Sequence, residues 1–335
     1  MLITSKPESI DSMRQTLTMI VTKSSNQLAP KQIPVPEVFT LGDGRRLTYQ
    51  QIGDPQGQPV FFFHGSPGSR LECLSAQAAA REHHWQIIAP DRPGMGQSDF
   101  KPGYTLLDYT DDLRELADGL GFDTFGIMGH SGGGVTVLSC TYTMPERLNF
   151  ALDLGGWAPV MVPELKTQMT ALDRFFAERC VPQQSPNQQN TTPLLFQFPF
   201  TLLGLAAKIL PPVTFIHLLY QSQYFCDADY EILSAPESAK ALVQAVCESF
   251  HQGSEGPAYD ALLRYQDWGF DLAEIEFPIQ IFHGTDDISA PYSFAAYKHH
   301  HLPNSKLHAY PQEGHFFLWS HWNDIMAIAS KLTST

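Results

Sequence analysis

Ser131 lies in Gly129-His130-Ser131-Gly132-Gly133, a G-x-S-x-G arrangement with small residues on both sides of the serine. A nucleophilic serine on a tight strand-to-helix turn needs such neighbours. Its backbone is strained, and its hydroxyl must stand clear of the sheet at the positive end of the following helix. A glycine-rich turn around an ordinary serine has the same composition, so the flanks decide. TFGIMGH (124–130) reads as a strand and residues 132–142 as a helix, the context a nucleophile requires.

A serine hydroxyl attacks only if a base removes its proton. Of 13 histidines, His315 is the candidate: it follows Gly314 in the loop PQEGHFF, directly after the apolar strand pattern KLHAYPQ. Loops at the carboxyl edge of a parallel sheet collect functional side chains. His64 and His130 lie inside glycine motifs and read as loop-shaping residues. His299, His300 and His301 form a run at a helix end with no carboxylate or cysteine beside it, which favours a solvated face over a metal site. The imidazole in turn needs an orienting acid. HGTDDISAP (283–291) offers two, Asp286 and Asp287, and spacing alone leaves both open. Two backbone N–H groups would stabilise the oxyanion: that of Gly132, next to the serine, and that of Ser66 in HGSPGSR, with the Ser66 hydroxyl as a further contact. This set implies acyl transfer through a covalent serine intermediate. It requires no metal and no organic cofactor.

The elements that must position these residues follow from periodicity. VFTLGDGRRLTYQQIG, from Val38, reads as a hairpin around Gly42-Asp43-Gly44. PVFFFHG and WQIIAPD are short continuous apolar runs, the pattern of strands buried on both faces, with a helix expected between them over about 71–83. LLDYTDDLRELADGLG carries apolar residues at helical spacing and ends at Gly121, where a C-terminal cap belongs. With NFALDLGG the alternation runs to Gly156, so the fold class is α/β: a mostly parallel sheet flanked by helices. From Trp157 to Ile275 no buried-strand run appears. Helical stretches such as VPELKTQMTALDRFFAERC and SAKALVQAVCESF surround the polar segment PQQSPNQQNTTP. PIQIFHG, PYSFAAYKHHH, KLHAYPQ and FLWSHWNDIMAIASKL then resume the sheet rhythm. The expected organisation is an accessory segment over 1–33, a core in two parts (34–156 and 276–335) and a helical insertion over 157–275.

HGSPGS, DRPGMGQSD (91–99), GHSGGG and GTDDISAP occur in an order that resembles the α/β-hydrolase superfamily with a helical cap, over about 38–332. The resemblance implies a Ser-Asp-His order of catalytic residues. The family's acid lies in G-x-x-D-x-x-x-P, which Gly284, Asp287 and Pro291 fit, so Asp287 is preferred. Serine at position 131 separates the chain from the aspartate-nucleophile dehalogenases and epoxide hydrolases of this fold. HGSPG is similar to the HGGPG loop of proline iminopeptidases, with Ser66 replacing a glycine. The implied function is hydrolysis of esters or related acyl compounds. An aminopeptidase of the iminopeptidase type, a carbon–carbon bond hydrolase and a small-molecule receptor on the same fold are the alternatives.

The whole chain bounds these readings. Its 335 residues carry 21 Lys+Arg against 35 Asp+Glu, the wrong sign for a nucleic-acid binder, and 43% hydrophobic residues, too many for a disordered chain. The expected partner is a small acyl substrate. Within 157–275 stand 6 Lys+Arg and 13 Asp+Glu, which suggests either an acidic pocket for a cationic group or a solvated acidic face. The apolar run from Pro193 to Tyr220, including Phe196, Phe198, Phe200, Leu202 and Leu203, suggests either a greasy pocket or the core of the insertion. Lys208 and Pro211-Pro212 interrupt it, so it does not read as a membrane span. The apolar run Leu17–Val21 is too short for a secretory leader, and five scattered cysteines without CxxC spacing suggest free thiols. Both point to the cytoplasm.

Overall fold

The computed structural model describes residues 35–179 and 192–332. Eight strands form one sheet: β1 (Glu37–Thr40), β2 (Arg46–Gly53), β3 (Gln58–Phe63), β4 (Trp85–Pro90), β5 (Phe125–His130), β6 (Leu148–Leu154), β7 (Ile279–Gly284) and β8 (Ser305–Tyr310). Their order is β1-β2-β4-β3-β5-β6-β7-β8. β1 pairs antiparallel with β2, as does β2 with β4, and every later pairing is parallel. β3, with Phe61 opposite Ile88 on one side and Ile127 on the other, lies beside β5, the strand that leads into Ser131.

The apolar runs are continuous because both sheet faces are covered. Val60 and Phe62 enter one core with Ile87, Met128 and Trp322, whereas Phe61 and Phe63 enter the opposite core with Ile127, Leu113 and Val137. Each fully buried aromatic or branched side chain contributes roughly 1.5–3 kcal/mol. The covering helices are α1 (Gln77–Glu82), α2 (Leu106–Gly119), α3 (Gly132–Thr143), α11 (Tyr292–His301) and α12 (Leu318–Ser330). α2 starts at a reciprocal cap in which Asp108 N–H donates to Thr105 Oγ1 and Thr105 N–H to Asp108 Oδ2. It stops where Gly121 takes φ +77°, with Phe122 N–H returning to Ala117 O.

The expected helix over 71–83 is two elements. A 3-10 turn spans Arg70–Ala76, and α1 begins only at Gln77. The tighter turn sets Arg70 on Asp91 and Glu72 on Gly65 and His130. Among the described residues, seven α-helices lie between β6 and β7: α4 (Pro163–Lys166), α5 (Ala171–Arg179), α6 (Leu194–Ile209), α7 (Pro212–Gln221), α8 (Asp227–Leu233), α9 (Pro236–Ser249) and α10 (Glu255–Arg264). The stretch VPELKTQMTALDRFFAERC breaks into α4 and α5 because the Thr170 hydroxyl receives Asp173 N–H and starts a new helix. α7 to α9 share a core of Phe215, Ile216, Leu233, Leu242, Val243 and Val246, which Phe316 also enters. α10 instead joins the sheet-covering core through Ala258, Ala261 and Leu262. There Tyr259 OH donates to Tyr104 O at 3.0 Å, and Gly256 packs so closely on Gly94 that a Cβ would lie 2.0 Å from the Gly94 carbonyl oxygen. Residues 1–33 and most of PQQSPNQQNTTP lie outside the described residues.

Candidate active site

Ser131 occupies the turn between β5 and α3 with φ 54° and ψ −118°. A non-glycine residue is held there only where its surroundings enforce it. The flanking glycines are steric requirements: a Cβ on Gly129 would lie 2.2 Å from Gly133 O, and one on Gly133 would lie 2.1 Å from Phe63 O. The turn thus packs straight onto the end of β3.

His315 Nδ1 is 2.7 Å from Asp287 Oδ2. This nitrogen therefore carries the hydrogen, and the Nε2 lone pair is left free. Asp287 Oδ1 accepts Ser289 N–H at 2.8 Å and Ala290 N–H at 2.9 Å, so the turn after β7 fixes the carboxylate. Its second oxygen also has a neighbour that periodicity did not reveal. His283 Nε2 lies 3.2 Å from Asp287 Oδ2 and 2.7 Å from Ala290 O. Burial opposes ionisation of Asp287, but the His315 and His283 rings outweigh it and hold its pKa well below the usual value. Asp286 is exposed and accepts only the Thr285 hydroxyl among side chains. Ser131 and His315 line one cavity of about 290 Å³, together with Gly65, Ser66 and His130. No hydrogen bond joins the Ser131 hydroxyl to the imidazole; unliganded sites commonly tighten only around substrate.

Ser66 packs directly against Gly132: a Gly132 Cβ would lie 3.0 Å from Ser66 Cβ. The Ser66 hydroxyl is not free, since it donates to Asp260 Oδ2 at 2.6 Å. Asp260 also takes Arg92 Nε at 2.6 Å and Arg264 Nη1 at 2.9 Å. Arg92 Nη2 in turn reaches Gly65 O at 2.9 Å, so the loop after β3 is held from behind by an ionic cluster.

His130 does more than shape its loop. Its Nδ1 pairs with Glu72, and its Nε2 donates to the His315 backbone carbonyl at 3.1 Å. Glu72 Oε2 accepts Gly65 N–H at 2.8 Å. One buried pair thus ties together the loops carrying Ser66, Ser131 and His315. Burial disfavours both charges. Even so, the partners raise the pKa of His130 and lower that of Glu72. From α8, Asp229 accepts Phe316 N–H at 2.8 Å, and its side chain fills the space a Gly314 Cβ would need. Asp260 and Arg264 are visible in sequence as one helical turn on α10, yet nothing local links them to Ser66. The same holds for Glu72 and Asp229.

Most of the remaining cavity wall is apolar, with Phe176, Phe200, Leu203, Phe215, Leu219 and Leu242, and Asp173 and Arg264 also line it. Of the run expected to form a pocket or a core, Phe200 and Leu203 face the cavity, Phe196 is buried against Phe176, and Phe198 and Leu202 face solvent. Nine of the 13 acids of 157–275 are exposed, and of the 13 Asp173 alone reaches the cavity. None of the nine exposed acids lines the cavity that holds Ser131. Among the described residues, no helix is long and apolar enough to cross a membrane, and no group of three or more His, Cys, Asp or Glu side chains is placed to hold a metal ion.

Comparison with known proteins bears on the family and the fold. The chain is 26% identical to a non-heme chloroperoxidase of Streptomyces lividans over 84% of its own length and 94% of that protein. It is 25% identical to the bifunctional esterase/perhydrolase DCH of Acinetobacter calcoaceticus over 81% and 90%. A 30% match to a proline iminopeptidase of Xylella fastidiosa is confined to 33% of this chain and 36% of that one. Among solved structures, a hydrolase from Pseudomonas aeruginosa PA01 superposes with a TM-score of 0.64 at 16% identity, covering 92% of this chain and 100% of that one. An esterase from Exiguobacterium antarcticum gives 0.62 at 18%, covering 90% and 100%. The family profile described as alpha/beta hydrolase fold matches residues 58–321, and the chain belongs to that family.

Proposed function

We propose that the protein is a serine hydrolase that cleaves carboxylic esters through an acyl-enzyme. The observation that carries this reading is the His315–Asp287 hydrogen bond of 2.7 Å beside Ser131 on the wall of one cavity. Ser131 Oγ attacks the ester carbonyl carbon, and its proton passes to His315 Nε2. Asp287 holds the ring and stabilises the imidazolium. The N–H groups of Gly132 and Ser66 receive the oxyanion, aided by the N-terminus of α3. Collapse of the tetrahedral intermediate breaks the C–O bond, and His315 returns the proton to the departing alkoxide. Water then attacks the acyl-enzyme with His315 as base, and the acid leaves as Ser131 regains its proton. The helices between β6 and β7 act as a cap whose apolar wall receives the hydrocarbon part of the substrate.

The test combines a serine-directed fluorophosphonate with a panel of p-nitrophenyl esters, amino-acyl arylamides and lactones. The Ser131→Ala protein serves as the blank. Labelling of Ser131 and turnover of esters are expected. Folded protein that neither labels nor turns over any of the panel overturns the reading and favours a ligand receptor. Turnover confined to arylamides favours a peptidase.

A further inference from the structure

We infer that Arg264 is a binding residue for a substrate carboxylate, so that the ester cleaved carries an acid group a few bonds from its scissile carbonyl. The inference rests on the hydrolase reading above and specifies its substrate class.

Arg264 lines the cavity beside the proposed oxyanion site. A Cβ on Gly132 would lie 2.9 Å from Arg264 Nη1. The residue is 5% exposed, and its guanidinium stands 5.2 Å from the centre of the Trp157 ring. A buried guanidinium is expected to have its donors filled and its charge matched. Neither holds for Arg264. Its one side-chain hydrogen bond among the described residues is Nη1 to Asp260 at 2.9 Å, and Nε is buried without a partner. Asp260 is already shared, because it accepts two hydrogen bonds from Arg92 and one from the Ser66 hydroxyl. Two guanidinium groups therefore face one carboxylate.

The other acids near the cavity do not supply the missing charge. Glu72 is paired with His130, and Asp287 with His315. Asp173 is the remaining carboxyl on the wall. Its two oxygens are spent on the Tyr265 and Thr170 hydroxyls, and no hydrogen bond joins it to Arg264. A desolvated cation with spare planar donors matches a carboxylate, and the fork geometry of guanidinium suits it better than an ammonium would. The surrounding Phe176, Phe200 and Leu203 then leave an apolar path for the rest of the molecule.

The test uses three ester pairs in which a carboxylate is replaced by an isopropyl group of the same shape. Ethyl hydrogen malonate, succinate and glutarate are compared with ethyl 3-methylbutanoate, 4-methylpentanoate and 5-methylhexanoate. At one chain length or more, the wild-type protein is expected to favour the acid. In Arg264→Gln the ratio of kcat/KM for acid over isostere should fall between about tenfold and about 100-fold, with part of it recovered in Arg264→Lys. Preference for the neutral ester at all three lengths overturns the inference. So does an equal loss on both members of a pair, which would make Arg264 a support for the oxyanion instead. If no ester is turned over and Ser131 is not labelled, the hydrolase reading has failed, and binding decides the inference separately. Calorimetry of the same half-esters on Ser131→Ala should then show binding that Arg264→Gln removes, and no binding overturns it.

Discussion

The His130 Nε2 donates to the backbone carbonyl of His315 at 3.1 Å, so the residue preceding the serine holds the loop of the histidine. Its other nitrogen is anchored by Glu72, which also grips Gly65 N–H. Three loops from distant parts of the chain thus meet on one buried ion pair.

Glu72→Gln keeps an acceptor for Gly65 but removes the charge opposite His130. Loss of one partner from a buried pair costs about 3 kcal/mol. The folded-state pKa of His130 is raised, so its contribution is complete below the ordinary histidine value of 6.5 and is lost as pH rises through the raised value. That of Glu72 is lowered, so its contribution is complete above 4.5 and is lost as pH falls through the lowered value. Urea unfolding of both proteins from about pH 5 to about pH 10 should give the largest difference at the acid end of that range, narrowing toward its alkaline end. As a positioning residue, Glu72 should affect kcat by about tenfold or more and KM by less.

Ser131→Ala and His315→Ala should each reduce kcat for an aryl ester by about 10⁴-fold or more, and the double variant should be scarcely worse than either. Steady-state kinetics of the three proteins, with labelling as a control for background, measures this. Losses that multiply would show that the two side chains act separately.

Asp287→Asn should lower kcat by about 10⁴-fold, through the wrong imidazole tautomer, whereas Asp286→Asn should stay near wild type. The Asp287 pKa is depressed, so the stability it contributes is complete above the usual 3.8 and disappears as pH falls through the depressed value. The denaturation midpoint of Asp287→Asn should therefore lie below that of wild type at neutral pH, with the gap closing in acid.

Gly133→Ala would place a methyl group 2.1 Å from Phe63 O, with backbone on both sides of the clash. A loss of about 3 kcal/mol or more is expected, against less than about 1 kcal/mol for Gly44→Ala, whose Cβ meets open space though φ is positive. Thermal unfolding of the two variants gives the comparison.

An apolar wall of Phe200, Leu203 and Phe215 should reward longer acyl chains. One buried methylene contributes about 0.8 kcal/mol, so p-nitrophenyl butanoate should exceed the acetate by about tenfold in kcat/KM. Leu203→Trp, which fills the cavity, should flatten the profile.

Much of this fold could be read from the sequence because its signals are local. PVFFFHG and TFGIMGH are strands because each buries both faces, and GHSGG is a turn because only glycine fits against Phe63 O. His315 is a candidate because it follows a strand in a glycine-containing loop, whereas local composition leaves Asp286 and Asp287 both open and only the family resemblance prefers Asp287. The supporting groups are not legible in this way. Glu72 and His130 are 58 residues apart, Ser66 and Asp260 194 apart, and no periodicity connects them. The sign of the cavity was also hidden. Composition counts every acid of the insertion, but of these the wall shows only Asp173, beside the cation Arg264.

By sequence α10 belongs to the insertion, yet it is fastened to Tyr104, Gly94, Arg92 and Ser66. Glu248 of α9 and the neighbouring Gln252 are fastened to the core as well, at Arg70, Gln97, Gly96 and Ser98, so a part of the chain exchangeable as a module would end before Glu248, some thirty residues before β7 begins. A foreign segment grafted there would bring its own hydrocarbon lining but inherit Arg264 on the same cavity wall as Ser131. On the proposed reading, breadth of substrate shape and choice of substrate charge would reside in different pieces of the chain, each free to diverge without the other.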